Sequence, residues 1–139
     1  MQIRRADFAR DVSAIRAVRF AVFVDEQGVA AEIEMDDRDT HCLHLLAYDH
    51  GEPIGTARID LERDGKIGRL AVLRTARGRG VGSALMVELH SIAHAHGLRR
   101  VWCHAQVAAA PFYAQLDYRA SGAPFYEAGI EHVRMEREL

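Results

Sequence analysis

Net charge is almost absent from this chain, and so are long apolar runs. At −2 over 139 residues, the protein has no general pull toward nucleic acid or an anionic membrane, so any anion it binds must be met by a local device. No stretch approaches the roughly 18 apolar residues of a membrane span, and the opening MQIRRADFARDV lacks the apolar centre of a secretory signal. A cytoplasmic location is therefore expected. Cysteine is scarce too: Cys42 and Cys103 are too few for a disulfide framework and read as reduced thiols. Histidine is plentiful, at eight, but metal-ligand spacing is missing. His90 and His94 stand one helical turn apart without the acid of H-E-x-x-H, and the cluster His41, Cys42, His44 has no partner pair at zinc spacing, so no metal is expected.

What is present is ordinary for a globular protein. Hydrophobic residues make up 49% and charged residues 27%, and the length suits one domain spanning 1–139. QIRRA, residues 2–6, reads as a first strand. Asp7 or Asp11 then caps a helix whose apolar positions include Val12, Ile15, Val18, Val22 and Phe23. The acidic stretch DEQGVAAEIEMDDRDTH reads as a loop or short helix with a solvated face. LHLLAY (43–48), IGTARIDL (54–61) and KIGRLAVL (66–73), separated by DHGEP and ERDG, read as three antiparallel strands. A helix follows, with Val81, Ala84, Leu85, Leu89, Ile92 and Ala93 on its apolar face, Ser83, His90 and His94 on the other, and Gly97 as its stop. RRVWCHAQ then reads as a buried strand, AAAPFYAQL as a short helix and EHVRMEREL as a closing strand. The fold class is α/β in the α+β sense: a mixed, largely antiparallel sheet flanked by helices.

The stretch RTARGRGVGSALM, residues 74–86, joins the third of those strands to the long helix. A glycine-rich turn that opens a helix offers free backbone N–H groups and the positive end of a helix dipole, a combination that binds phosphate. Spacing narrows the choice of phosphate. The triphosphate loop G-x-x-x-x-G-K-[ST] needs a lysine that does not follow Gly82. The dinucleotide fingerprint G-x-G-x-x-G needs glycine where Ser83 stands, and an acid that LRRVWCHAQ does not offer.

Arg77, Gly80 and Gly82 do reproduce R/Q-x-x-G-x-G/A, and here the chain resembles the GNAT superfamily of acyl-CoA N-acyltransferases. A second stretch, Gln106, Ala109, Phe112, Tyr113, Asp117 and Tyr118, is similar to the family's N-x-x-A-x-x-F-Y-x-x-x-G-F. Asp117 replaces a glycine there, and Asp is among the few residues that tolerate the left-handed turn. RFAVFVDEQGVAAEIEMDDRD, followed by His44 and Arg58, resembles the ElaA/YjcF-like branch, as does EAGIEHVRME near the end.

The resemblance implies an acetyl-CoA-dependent N-acetyltransferase that moves an acetyl group to a primary amine by direct attack on the thioester. The amine acceptor is a small molecule or a peptide, nucleic acid and membrane are not partners, and family habit adds a homodimer. It implies that the backbone of Arg77, Gly78, Arg79, Gly80, Val81, Gly82 and Ser83 holds the pyrophosphate of coenzyme A, with Ala109 and Phe112 beside it. The backbone at Leu70, Ala71 and Val72, on a splayed or bulged strand, then receives the oxyanion. Tyr113 is the candidate acid, because a phenol can reprotonate a thiolate. The base is the open point. KIGRLAV carries none of the family's frequent strand carboxylate, and the candidates elsewhere are Glu26, Glu32, Glu34, Asp60 and His104. Glu26 is preferred because DEQG follows the first helix and would line the acceptor cleft. The missing carboxylate also sustains a competing reading, an acyl-CoA-binding sensor or interaction module with little catalytic activity.

Overall fold

Alternation of branched apolar residues with polar ones dictates the sheet. In the computed structural model, which describes residues 1–139, seven strands form one sheet in the order β1-β2-β3-β4-β5-β7-β6. They are β1 (Gln2–Ala6), β2 (Leu43–Asp49), β3 (Glu52–Asp60), β4 (Lys66–Val72), β5 (Arg100–Gln106), β6 (Arg119–Glu127) and β7 (Ile130–Glu138). Every pair is antiparallel except β4 with β5, which run parallel and are bridged by a helix. That parallel pairing covers only Lys66 with Trp102 and Ile67 with Cys103. Beyond it the two strands part.

Helices cover both faces. On one side α3 (Val81–Ala95) buries Val81, Leu85, Met86, Leu89, Ile92 and Ala93 against Leu45, Ala57, Ile59, Ile67 and Val101. Fully burying each of the valine, leucine, isoleucine and methionine side chains among these contributes about 1.5–3 kcal/mol. Gly55 permits the approach, since a Cβ there would lie 3.1 Å from both Leu85 and Val81. On the other side α1 (Phe8–Arg19) starts from Asp7, whose side chain accepts from the Arg10 amide, and it seats Val18 against Ala71. Asp7, not Asp11, is the cap. The chain then continues through a π-helical segment, Phe20–Glu26, and a single turn, α2 (Ala31–Glu34). The last helix, α4 (Ala110–Gln115), ends at Asp117, which takes φ +68°, as the left-handed turn requires.

Three expectations are corrected. β6 is absent from the sequence reading because RASGAPFYE exposes nearly its whole length as an edge strand, so no buried face imposes alternation, and Gly122 and Pro124 argue against a strand. The acidic stretch is a solvated face only in part: Asp25, Glu26, Glu32 and Asp37 are exposed, but Val29, Glu34 and Asp39 are buried. His90 is not on a solvent face either. It is buried, and its Nε2 lies 2.6 Å from the Tyr118 hydroxyl.

Burial lowers the His90 pKa to about 4, and a stability profile follows. With the folded value depressed, the unfolded chain takes up its proton first as pH falls, so stability present above about pH 6.5 is lost on the way down to about 4. His44 and His104 shift in the same direction, also chiefly by burial. The melting temperature of the wild type should fall across this window, and His90→Gln should flatten part of the fall. An identical slope in the variant would remove His90 from the account.

Candidate active site

Where β4 and β5 part, a cleft of about 690 Å³ opens on the sheet. At one end it meets the turn before α3, and at the other a cluster of charged side chains from β3, β4 and the α1–β2 connection. The two ends differ in chemistry.

At the first end, Gly78 and Gly80 hold φ +76° and +79°, with nothing within 4 Å of where a Cβ would stand. The turn is therefore left-handed and open on its outer side. α3 begins with no side-chain cap, and the amides of Gly78, Arg79, Gly80, Val81, Gly82 and Ser83 donate to no carbonyl or side chain of the protein. Six consecutive free N–H groups at the positive end of a 15-residue helix make an anion cradle. Gly82 has a different task. A Cβ there would lie 3.4 Å from the Phe112 ring, about van der Waals distance, so the helix start packs directly against Phe112.

The arginines of the turn are anchors. Arg77 donates from Nε to the Val72 carbonyl at 3.0 Å and from its other nitrogens to both oxygens of Glu26, at 2.7 and 3.0 Å. Arg74 adds a third bond to Glu26 at 3.3 Å, and Arg79 reaches Asp49 at 3.2 Å. The placement of Glu26 is thereby corrected. It is not on the wall of the cleft, its oxygens are engaged by cations, and the hydrogen bond from Arg77 leads the effects that lower its pKa. A carboxylate so held is a weak base and a good tether for the turn.

Between the ends runs β4. Opposite Thr56 and Arg58 of β3 stand Ala71 and Gly68, so three steps on β4 face two on β3, and the surplus sits at Arg69–Leu70. Arg69 takes φ +52°, a conformation that costs a non-glycine residue about 1 kcal/mol or more. Its side chain is fixed by the Glu34 carbonyl and the Asp36 carboxylate, both at 3.1 Å. The bulge falls where β4 has lost β5, so the backbone of Leu70, Ala71 and Val72 has no strand partner on the cleft side. Tyr113 faces the same space from α4. It is 8% exposed and packs edge-on against Phe112 and Tyr118, and burial holds its phenol well above the usual range with no hydrogen bond to oppose it. The group stays protonated and ready to donate.

The charged end is a buried ion network invisible to hydrophobic patterning. Arg19, with its side chain fully buried, bonds Asp39 at 3.0 Å. Arg58 bonds Asp39 and Asp36 at 2.7 Å each, and Arg38 grips Asp60 through two bonds at 2.8 and 2.9 Å. Burial alone would raise the Asp36 carboxyl, but the bonds from Arg58 and the charge of Arg69 hold it at about 2. Glu34 goes the other way: burial outweighs Arg69, and its pKa rises. His44 contacts the Asp39 carbonyl through Nε2 at 2.7 Å, which must be a donation, and this leaves Nδ1 to accept from Arg19 at 3.5 Å. Asp39→Ala would strand Arg19 with no carboxylate, and Arg19 Nε already lacks a partner. Breaking a buried pair in this way costs about 3–5 kcal/mol, so the urea midpoint should drop sharply. A change below about 1 kcal/mol would show the network to be solvated.

No group of three His, Cys, Asp or Glu stands close enough together to hold a metal, and no helix is long and apolar enough to cross a membrane. Residues 8–139 match the acetyltransferase (GNAT) domain family. The chain is 37% identical over 123 residues to the Bacillus subtilis N-acetyltransferase YjcF, covering 87% of this chain and 88% of that one. The crystal structure of Escherichia coli ElaA superposes with a TM-score of 0.86 at 27% identity, over 99% of this chain and all of ElaA. An acyl-CoA N-acyltransferase from Pseudomonas aeruginosa superposes with the same score at 26% identity, over 98% of each chain.

Proposed function

Because this chain belongs to the acetyltransferase (GNAT) domain family, we propose that it moves an acetyl group from acetyl-CoA to a primary amine of a small-molecule or peptide acceptor. The whole chain acts as one domain. The observation that carries this reading is the run of free amides from Gly78 to Ser83 beside a strand pair that has come apart. Acetyl-CoA supplies the activated acyl carbon and the thiol leaving group.

The chain's own residues would divide the work as follows. The backbone of Arg77 through Ser83 holds the pyrophosphate, with Glu26 fixing the Arg77 side chain from behind and Ala109 and Phe112 packing on the cofactor's flank. The backbone at Leu70, Ala71 and Val72, which has no strand partner on the cleft side, receives negative charge as it grows on the carbonyl oxygen. The amine nitrogen forms its bond to the acyl carbon, the carbon–sulfur bond breaks, and the Tyr113 hydroxyl donates to the departing thiolate. The nitrogen's surplus proton leaves by water toward His104. That side chain lines the cleft and is kept neutral at pH 7 chiefly by burial, and its Nδ1 lies 3.3 Å from the Glu127 carboxylate.

The lack of a carboxylate on β4 is the one feature that favours a binding module over an enzyme. Thiol release from acetyl-CoA, followed across a panel of amines, separates the two. We expect release that needs the amine and whose rate rises with pH toward the amine's own pKa, as fits a site without a strong base. Cofactor binding with no release for any amine would overturn the transferase reading.

A further inference from the structure

One face of the sheet runs into the acceptor half of the cleft, where Arg58, Asp60, Lys66, Gly68 and His104 line it. Register places Asp60, Lys66, Trp102 and Glu136 in one row across the sheet, and side chains in register share a face. Two residues further along that face, Arg58 pairs with Gly68 and His104 with Arg134, but Gly68 and His104 are no longer paired with each other. Gly68 sits between Arg58 and His104 at the point where β4 and β5 separate, and nothing lies within 4 Å of where its Cβ would be. The glycine therefore leaves a vacant space bounded by Lys66 and His104, all within the cleft.

The cations around this space are unequally paired. Arg38, Arg58 and Arg69 are each satisfied by carboxylates at 2.7–3.1 Å. Lys66 has no carboxylate within 4.0 Å, and its ammonium instead stands 5.2 Å from the centre of the Trp102 ring. Arg63, at the rim, reaches only Asp60 at 3.9 Å, a carboxylate that Arg38 already holds twice. Of the carboxylates that line the cleft, Glu127 alone is paired with no arginine; it is half exposed and beside His104. Two cations with no close partner thus face an open space that one partly solvated carboxylate offsets. A half-buried lysine without a counter-ion is costly unless something brings one.

We propose that the acceptor is a small amine that also carries an anionic group, a carboxylate or a phosphate, which Lys66 binds above Trp102 with Arg63 at the rim. The inference rests on the transferase reading. Gly68 supplies the room, and the network of Arg19, Asp39, Arg58 and Asp36 holds the surrounding wall rigid. Burial, only partly offset by Glu127, lowers the Lys66 pKa, and an incoming anion would restore it. The same arrangement disfavours diamines and polyamines, whose second cation would meet Lys66.

The test compares kcat/KM at saturating acetyl-CoA for matched acceptors: the common α-amino acids and β-alanine beside their amides, phosphoethanolamine beside ethanolamine, and a diamine. The anionic member of a pair should be favoured by about tenfold or more, and the ratio should fall toward 1 in Lys66→Met and by a smaller factor in Arg63→Ala. The carboxylate and phosphate pairs show which anion the site takes. Arg63 is exposed, so its variant keeps the test alive should Lys66→Met fold poorly. Preference for the neutral or dicationic acceptors, or a Lys66→Met protein that lowers both members of a pair equally, would overturn the proposal while leaving the transferase intact. If no amine is turned over, the transferase reading fails, and calorimetry then decides the anion site alone. Acids that bind the coenzyme A-loaded wild type but not Lys66→Met support the site, and acids that bind neither or both equally refute it.

Discussion

Gly80→Asp should abolish the rise in melting temperature that coenzyme A gives the wild-type protein. A ligand that binds only the folded state at a hundred times its Kd adds about 2.7 kcal/mol, which for a chain of this size raises the midpoint by on the order of 10 °C. The aspartate places a negative charge among amides that must meet pyrophosphate, and Coulomb repulsion at such range costs several kcal/mol. The fold should survive. Gly80 is at φ +79° with no atom within 4 Å of a Cβ, and Asp is one of the few side chains that accept this conformation, at a cost of about 1 kcal/mol. Gly80→Asn, with nearly the same shape and no charge, should keep most of the shift. A folded Gly80→Asp protein that coenzyme A still stabilises would detach the loop from the cofactor.

Tyr113→Phe should lower turnover about 100-fold while leaving cofactor affinity nearly unchanged. The substitution removes one hydroxyl and keeps the ring that packs against Phe112 and Tyr118, so stability should barely move. Burial makes the phenol a donor that holds its proton, which suits stabilising a nearby thiolate more than complete transfer to it. The loss should therefore appear in kcat and grow as the thiol of the acyl donor becomes more basic. Equal rates for the two proteins, with chemistry limiting, would leave Tyr113 as a packing residue.

Much of this architecture is legible in the sequence because packing writes it there. β2, β3, β4 and β5 alternate or run apolar, and the apolar stripe of α3 is buried where its spacing places it. The glycines at 78 and 80 announce the anion cradle because few other residues accept an open left-handed turn. Two features escape because their partners are remote. Glu26 reads as the preferred base until Arg74 and Arg77, 48 and 51 positions away, are seen to hold it. Asp39 likewise lies in a stretch that reads as a solvated face, and nothing in its local pattern pairs it with Arg19 and Arg58, which only the fold brings to it in the interior. The open space at Gly68 is unreadable for another reason: an absent side chain leaves no mark on periodicity.

The central claim, acetyl transfer to an amine, is tested most directly by counting both products of one incubation with acetyl-CoA and a turned-over amine. Free thiol is measured by its reaction with a disulfide reagent, and N-acetylated amine by mass spectrometry. The account predicts one N-acetyl amine for each thiol released, with neither formed when the amine is left out. Thiol without acetylated amine, or tight cofactor binding with neither product for any amine, would contradict it.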